Sequence, residues 1–310
     1  MTVIDLHTLR TASPPSSSVI CLGNFDGVHI GHQKLIEATV QKKEELSQKQ
    51  SGVKSGACFF RRAPIEFILN KQLPILTDEY AKLEIFAALG LDYAFILDFE
   101  EVGQLSPAEF VSEILLKELN CIFAVCGYNF RFGKGATGTA ETLFELMERK
   151  AYIVDEVLLG SQKVSSSEIR RLISEGEIER ANSLLGRNFS INEKVVHGKQ
   201  LGRTLGIPTV NQPVGNRFPL LKNGIYVSRT LIDGIWFPSV SNFGVRPSVE
   251  DGNSINCETH IIGYDGDLYE KRLKVEFIHR LRDEKKFADI EALKAQIEKD
   301  ISDTKKYFEK

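Results

Sequence analysis

The sequence predicts an α/β protein of two domains, in which a parallel sheet flanked by helices is followed by a mainly β domain and a closing helix. Three observations carry this prediction. The 310 residues exceed what one hydrophobic core usually organises. Apolar, strand-like runs alternate with helical patterns in the first half. The second half instead contains short strand-like runs separated by turn signals.

The ordered pattern of the first half begins at VICLG, an apolar run typical of a buried strand. A glycine-containing loop and a mixed apolar and charged stretch from Gln33 to Leu46 follow directly, which predicts a strand, a loop and a helix. Further strands are predicted at ACFF, YAFILDF and CIFAVCG, and helices at DEYAKLEIFAALG and SPAEFVSEILLKEL. This alternation predicts a parallel sheet with helices on its faces.

A predicted pair of helices, SEIRRLISEGEIERANSLLGR, marks the junction of the two domains. Ser165 and Glu168 have the spacing of a capping box at its start, and two glycines stand where helices commonly end. We therefore expect an N-terminal domain over residues 1–182 and a C-terminal domain over residues 183–310.

The second half reads as a small β-barrel. The runs IYVSRTL and IWFPSVSNFG flank Ile232-Asp233-Gly234, the strongest hairpin signal in the chain, and NCETHII and RLKVEFIHRL add strands. Apolar residues then recur at helical spacing, which predicts a C-terminal helix packed on the barrel. These residues are Phe287, Ile290, Leu293, Ile297 and Ile301.

The composition excludes several classes of protein. Hydrophobic residues at 42% and charged residues at 26% are typical of a globular chain. The net charge of -3 provides no overall field for a nucleic acid. Five scattered cysteines in apolar stretches indicate reduced core residues. With neither a signal peptide nor 18 consecutive apolar residues, we expect a soluble, cytoplasmic protein with no membrane association.

The segment GNFDGVHIGH, residues 23–32, places His29 and His32 where a predicted strand turns into a helix. A helix start offers free backbone N–H groups and the positive end of the helix dipole, which suit a phosphate chain. Two imidazoles there can stabilise the charge that builds up as pyrophosphate leaves, which indicates adenylyl transfer. A metal site or a surface coincidence is the alternative.

Two later segments add candidate phosphate ligands. In VSSSEIR, the hydroxyls of Ser165 and Ser166 and the guanidinium of Arg170 stand at a predicted helix start, and an ordinary serine cap is the alternative. In GYNFRFGKG, which contains Gly127 and Asn129, a strand runs into a glycine-rich, basic loop that can close over a ligand.

The segment GKQLGRTLGIPTVN, residues 198–211, is glycine-rich but lacks the G-K-[ST] of a Walker A loop. Gly198 and Gly202 allow the backbone to approach a phosphate closely. Thr209 and Asn211 supply hard oxygen ligands that would hold Mg²⁺ together with the phosphates of ATP. The alternative is a glycine-rich turn that binds no ligand.

A carboxylate in the predicted strand NCETHII completes this second site. Strand alternation puts Glu258 and His260 on the face opposite Cys257 and Thr259. Glu258 could therefore point into a pocket and take the proton from an attacking hydroxyl. An exposed glutamate without a catalytic role is the alternative.

Together these strings resemble the bifunctional bacterial riboflavin kinase/FMN adenylyltransferase family over nearly the whole chain. Further matching strings, NGIYV, SNFGVRPS, DLY and KFADIEAL, follow in the family's order. The resemblance implies a Rossmann-like nucleotidyltransferase domain followed by a six-stranded antiparallel β-barrel, the riboflavin kinase domain. It also implies two reactions: riboflavin and ATP give FMN and ADP, and FMN and ATP then give FAD and pyrophosphate.

The resemblance also implies roles for individual residues. The ATP of adenylyl transfer would be bound by His29, His32, Ser165, Ser166 and Arg170. Its pocket would be shaped by Gly23, Asn24 and Asp26, with Gly127 and Asn129 in the neighbouring loop. In the kinase domain, the ATP loop would include Gly198, Gly202 and Arg203. The Mg²⁺ ligands would be Thr209 and Asn211, and the general base would be Glu258. Asn242 and Arg246 would lie near the mouth of the barrel.

One segment departs from the family pattern. After the second strand the family usually has Phe, an acidic residue, Pro, His and Pro, whereas this chain has Phe60-Arg61-Arg62-Ala63-Pro64. The two arginines could neutralise phosphate but cannot accept a proton or bind Mg²⁺. Two alternatives to the bifunctional enzyme therefore stay open: a riboflavin kinase whose N-terminal half is weak or inactive, and a flavin-binding regulator without turnover.

Overall fold

The first half of the chain forms a six-stranded parallel sheet with helices between its strands. The computed structural model describes residues 1–6, 15–198, 202, 205–215, 218, 221–248 and 252–309. The chain divides into two compact units, Met1–Ser166 and Ser167–Lys310.

The strands of the first unit include the six of the main sheet and two small two-stranded pairs. They are β1 (Thr2–Asp5), β2 (Ser18–Leu22), β3 (Lys54–Phe60), β4 (Tyr93–Leu97), β5 (Cys121–Gly127), β6 (Arg131–Phe132), β7 (Gly138–Thr139), β8 (Ala151–Val154), β9 (Leu158–Leu159) and β10 (Gln162–Lys163). Its helices are α1 (Ile30–Ser47), α2 (Pro64–Ile68), α3 (Glu79–Ala88), α4 (Phe99–Val102), α5 (Pro107–Glu109) and α6 (Ala140–Leu146).

The main sheet has the strand order β1-β4-β3-β2-β5-β8, and all its pairs are parallel. Every residue of β2 is buried, because helices cover both faces of a parallel sheet. Alternate residues of β2 enter two different core clusters, Ile20 and Leu22 on one face and Val19 and Cys21 on the other. The predicted α/β architecture of this half is confirmed.

One predicted helix has an unexpected form. In SPAEFVSEILLKEL, α5 starts with a capping box between Ser106 and Glu109 and continues as a π-helix over Phe110–Glu118. The π-helix buries apolar residues, including Ile114 and Leu115. The pattern predicted the helix, but apolar spacing does not distinguish the wider π-helical turn.

The second unit contains two helices, a six-stranded barrel and a C-terminal helix. These elements are α7 (Ser166–Glu175), α8 (Ile178–Leu185), β11 (Phe189–Lys194), β12 (Val210–Val214), β13 (Gly224–Ile232), β14 (Ile235–Ser248), β15 (Gly252–Ile261), β16 (Arg272–Arg282) and α9 (Ile290–Phe308). The pair α7 and α8 falls almost entirely in this unit; the domain boundary at 182/183 stays a prediction.

The barrel has the strand order β11-β16-β13-β14-β15-β12, and all its pairs are antiparallel. Just beyond β11, Val196 pairs with Asn211 of β12 and nearly closes the barrel. The buried Gln212 side chain strengthens this seam, since its Nε2 donates to the carbonyls of Glu193 at 2.7 Å and Leu273 at 2.8 Å. The predicted six-stranded barrel is confirmed.

The predicted hairpin also forms as expected. Ile232 pairs with Ile235, and the two residues between them have left-handed backbone angles, φ 48° at Asp233 and 83° at Gly234. Positive φ at both central positions is the geometry that matches strand twist in a two-residue turn.

The barrel interior contains buried polar side chains. Ser241 forms hydroxyl hydrogen bonds to Ser228 at 2.7 Å and to Thr259 at 2.8 Å, and all three residues are fully buried. These hydroxyls satisfy one another, as buried polar groups must.

The C-terminal helix α9 packs on β13 and β14. Ile290, at its start, is 60% exposed and therefore lies outside the packed face that we predicted. An ion pair attaches the helix to strand β16. The buried Asp300 carboxylate of α9 accepts three hydrogen bonds from the Arg282 guanidinium of β16. No helix in the described ranges combines the length and apolar character needed to cross a bilayer.

Candidate functional site

The histidine pair lies at the start of α1, as the sequence predicted. His29 is the N-cap residue, and its Nδ1 accepts a hydrogen bond from the backbone N–H of His32 at 3.2 Å. The two rings stack with centroids 3.7 Å apart. Because Nδ1 of His29 is an acceptor, the proton of the neutral ring is on Nε2, where it can be donated to an anion.

The loop before α1 presents the histidines and has an unusual backbone. Phe25, Gly27 and Val28 have φ angles of 50°, 83° and 37°. Positive φ is uncommon outside glycine and is a true outlier for a β-branched residue such as Val28. Such strain persists only where the surroundings determine the conformation, and it concentrates at functional sites.

Asp26 shapes this loop through hydrogen bonds to distant segments. Its carboxylate accepts from the N–H of Leu76 at 2.8 Å, and its backbone carbonyl accepts from the hydroxyl of Ser166, also at 2.8 Å. The second bond joins two motifs that are 140 residues apart in the sequence. The backbone carbonyl of the neighbouring Asn24 accepts a hydrogen bond from the ammonium of Lys82.

The other N-terminal candidates occupy two places. Gly127 ends β5, which is adjacent to β2 in the parallel sheet, so the loop with Asn129 leaves the same edge as the histidine loop. Arg170 lies in the first turns of α7, whose first residue is Ser166, and Ser165 precedes that helix. The ligand-binding roles of these residues stay predictions.

The two arginines of the altered segment already have carboxylate partners. Arg61 forms ion pairs with Asp5, with Glu79 at 3.2 Å and with Asp98 at 3.6 Å. Arg62 lies 3.7 Å from Glu66, and its guanidinium stacks 4.6 Å from the Phe67 ring centroid. Since protein carboxylates neutralise both charges, this geometry does not favour a role in binding phosphate.

Two described glycines of the glycine-rich segment, Gly198 and Gly202, lie close to the two predicted Mg²⁺ ligands. A Cβ on Gly198 would come closer than 3.0 Å to the Asn211 side chain. A Cβ on Gly202 would clash with the carbonyl oxygen of Ile207 and lie 3.4 Å from Oγ1 of Thr209. Only glycine leaves this space open. Arg203 lies outside the described residues.

Three candidate side chains lie in one row across the barrel. Glu258 of β15 pairs with Asn211 of β12 on one side and with Asn242 of β14 on the other. Directly paired residues project from the same face of a sheet. Cys257 and Thr259, on the opposite face, are fully buried, which confirms the predicted alternation.

Glu258 and Asn242 line a cavity of about 270 Å³ together with residues of α9 and of the segment before it. The Oδ1 atom of Asn242 is buried and accepts no hydrogen bond from the described part of the chain, so it is available to a ligand donor. Arg246 lies on β14, but its side chain is outside the described part of the structure.

A second cavity, of about 570 Å³, lies beside the first. Its walls include Pro208, Thr209 and the segment Tyr264–Tyr269. Thr209 also lines the smaller cavity with Glu258. Two ligands held in these cavities would therefore meet at Thr209.

Sequence reasoning missed two residues that organise these sites. His260 contacts the carbonyl of Pro208 through Nδ1 at 2.8 Å, next to Thr209, although only its face of the strand was predicted. Lys82 lies in a segment that the sequence predicts only as a helix, yet its side chain is buried, with 8% of the residue exposed. Its spacing of four from Phe86, which places a lysine on the apolar face of a helix, is the signal that could have found it.

Groups of three or more metal-binding side chains of the His, Cys, Asp and Glu types do not occur among the described residues. The predicted donors, the hydroxyl of Thr209 and the amide oxygen of Asn211, are of the hard oxygen type that Mg²⁺ accepts together with phosphate oxygens, and their role as ligands stays a prediction.

Comparisons with known proteins cover both units. Residues 11–168 match the family model described as FAD synthetase, and residues 185–308 match the model described as riboflavin kinase. The bifunctional riboflavin kinase/FMN adenylyltransferase of Pseudomonas fluorescens is 35% identical over 97% of this chain and 95% of its own length. The protein of the same name from Buchnera aphidicola is 34% identical over 98% of this chain and 97% of its own length.

A solved structure described as a macrolide-efflux protein from Streptococcus pneumoniae has the same fold over 98% of this chain and 99% of that chain, with a TM-score of 0.87 and 27% identity. The fold, the order of the two matched domains and the full-length relatives agree. The chain therefore belongs to the bifunctional riboflavin kinase/FMN adenylyltransferase family.

Proposed function

We propose that this chain makes FAD from riboflavin in two ATP-dependent steps, in which the C-terminal barrel phosphorylates riboflavin and the N-terminal domain adenylylates the resulting FMN. Family membership supports both activities in this order. The five buried, reduced cysteines are compatible with work in the cytoplasm.

The observation that carries the kinase assignment is that Thr209 lines both of the cavities described above. We assign riboflavin to the smaller cavity with Glu258, and MgATP to the larger one beside the glycine-rich loop. Glu258 takes the proton from the 5′-hydroxyl of the ribityl chain, whose oxygen attacks the γ-phosphorus while ADP leaves. Asn242 accepts a hydrogen bond from the flavin through its buried Oδ1.

Thr209 and Asn211 are the residues that would hold Mg²⁺. Bound there, the ion would offset the negative charge that develops on the transferred phosphate. The close approach of Gly198 to the Asn211 side chain supports this assignment, because it places the glycine-rich segment beside the proposed ligand. The amide oxygen of Asn211 also accepts a hydrogen bond from Nδ2 of Asn256 at 3.3 Å, which fixes its orientation.

In the N-terminal domain, a phosphate oxygen of FMN attacks the α-phosphorus of ATP, and pyrophosphate leaves. His29 and His32 donate hydrogen bonds to the phosphates at the positive end of α1. Ser166 already donates its hydroxyl to Asp26, so we assign phosphate binding at this helix start to backbone N–H groups, with Ser165 and Arg170 as further ligands.

Flavin separation after incubation with riboflavin, ATP and Mg²⁺ tests the proposal. FMN should appear first and FAD should follow with release of pyrophosphate, and FMN supplied directly should be converted to FAD. FMN that accumulates without FAD would indicate a kinase with an inactive N-terminal half. Tight flavin binding without ATP consumption would indicate a regulator.

A further inference from the structure

Helix α3 supplies a buried positive charge beneath the strained loop that leads to the histidines. Lys82 and Phe86, one helical turn apart, are the buried residues of this helix. The ammonium of Lys82 donates to the carbonyl of Asn24 at 3.1 Å and lies 4.6 Å from the centroid of the Phe59 ring. Burial lowers the pKa of Lys82, and the neighbouring Asp26 carboxylate opposes this effect.

The strained loop depends on this helix and the segment before it at three successive residues. Lys82 holds the carbonyl of Asn24, and the Phe25 ring packs edge-on against Phe86 at 5.3 Å. The carboxylate of Asp26 accepts from the Leu76 N–H. Since Phe25 has a φ of 50°, the loop needs these contacts to keep its left-handed conformation.

The loop conformation in turn determines where the histidines stand. Val28, with φ 37°, directly precedes His29, which caps α1. The His29 ring also stacks on His32, so a rotation of the backbone at residues 24–28 would move both rings. A misplacement of about 1 Å in a catalytic group can cost about 100-fold in rate.

We propose that Lys82 is a positioning residue for adenylyl transfer, whose ammonium locks the strained loop by holding the carbonyl of Asn24 and thereby sets His29 and His32. The inference rests on the proposed function of the N-terminal domain. Because Lys82 contacts the backbone of the loop, its role is to position the histidines, and we do not count it among the catalytic residues.

A residue of similar length without charge would fill the same space but leave the Asn24 carbonyl without its donor. Lys82→Met should therefore reduce kcat for FAD formation about 10-fold to 100-fold. The KM for FMN should change less than about threefold, because the histidines act mainly on the charge that builds up in the transition state. Lys82→Arg keeps the charge and the donor and should retain more activity than Lys82→Met.

The experiment measures kcat and KM for FMN-to-FAD conversion in the full chain, with riboflavin phosphorylation in the same preparations as an internal control. Leu91→Ala is the matched control, because Leu91 is buried in the same core cluster as Phe86 but lies beyond α3. The expected result is a selective loss of FAD formation in Lys82→Met, with kinase activity unchanged and no comparable loss in Leu91→Ala. Where Lys82→Met does not fold, Lys82→Leu, which also lacks a donor, provides the same test.

FAD formation by Lys82→Met within twofold of the wild type would overturn the inference. So would a loss that Lys82→Met and Leu91→Ala share in proportion to their drop in unfolding temperature, since that would indicate a structural role alone. A wild-type chain that makes no FAD would overturn the proposed function of the N-terminal domain, and this inference with it.

Discussion

Replacement of Gly202 by alanine tests whether the glycine-rich segment positions Thr209, the proposed metal ligand. The new Cβ would approach the backbone carbonyl of Ile207 to less than 3.0 Å, a distance that real Cβ atoms essentially never show. A backbone carbonyl cannot swing aside as a flexible side chain can. The loop must therefore move by about 1 Å before this contact reaches the ordinary range of 3.4–4 Å.

That movement falls on Thr209, whose Oγ1 lies 3.4 Å from the position of the new Cβ. A shift of about 1 Å in a positioning group costs on the order of 100-fold in rate. We therefore expect Gly202→Ala to reduce kcat/KM for riboflavin phosphorylation about 100-fold. The kcat/KM measured at varied MgATP should fall more than the kcat/KM measured at varied riboflavin.

The assay follows FMN formation from riboflavin at varied ATP and Mg²⁺ and measures FMN-to-FAD conversion in the same preparation. Gly215→Ala is the matched control, because a Cβ there meets no atom within 4 Å and Gly215 does not adopt a left-handed backbone conformation. Phosphorylation by Gly202→Ala at the level of Gly215→Ala would refute the reasoning.

Four further predictions follow from the two sites and their supports. Glu258→Gln should lower FMN formation by at least about 100-fold, because the amide cannot accept the hydroxyl proton, while supplied FMN is still converted to FAD. His29→Ala should do the reverse, with a loss of about 100-fold in FAD formation; equal loss of both activities in either variant would contradict the division of labour. Asp300→Ala should reduce the free energy of unfolding of the barrel by about 2–3 kcal/mol, because it leaves the Arg282 guanidinium without its buried partner. Urea unfolding, followed by the fluorescence of the single tryptophan, Trp236 of β14, would measure this change. Burial raises the pKa of the Cys257 thiol from 9.0 to about 11. Because the folded state keeps a proton that the unfolded state loses, the free energy of unfolding should fall as the pH rises from about 9 to 11, and the buried native thiols should resist a thiol reagent at pH 8 until urea is added.

Much of the candidate sites could be predicted from short strings, because backbone features are local. A glycine-containing turn between a buried strand and a helix predicted the position of His29, and strand alternation predicted that Glu258 faces away from Cys257. The hairpin at Asp233-Gly234 followed from the turn chemistry alone. Each of these features depends on residues close in sequence, so the pattern was sufficient.

The supports of the sites could not be predicted in this way. The contact between Lys82 and Asn24 spans 58 residues, and the one between Ser166 and Asp26 spans 140. A lysine in a helix is normally exposed, so the sequence does not predict that Lys82 is buried. The apolar pattern of α9 likewise does not predict that Asp300 is buried. The energy of such groups depends on partners that only the folded chain brings near them.

The sequence by itself determined the two-domain α/β and β-barrel architecture, the histidine pair at a helix start and the pairing of a glycine-rich loop with Glu258. Only the tertiary structure decided what Arg61 contacts, which contacts maintain the left-handed backbone at Phe25, and that Thr209 lies between two cavities. The physical reason is that periodicity and turn chemistry are local, whereas the desolvation of a charge and the shape of a cavity depend on chain segments far apart in sequence.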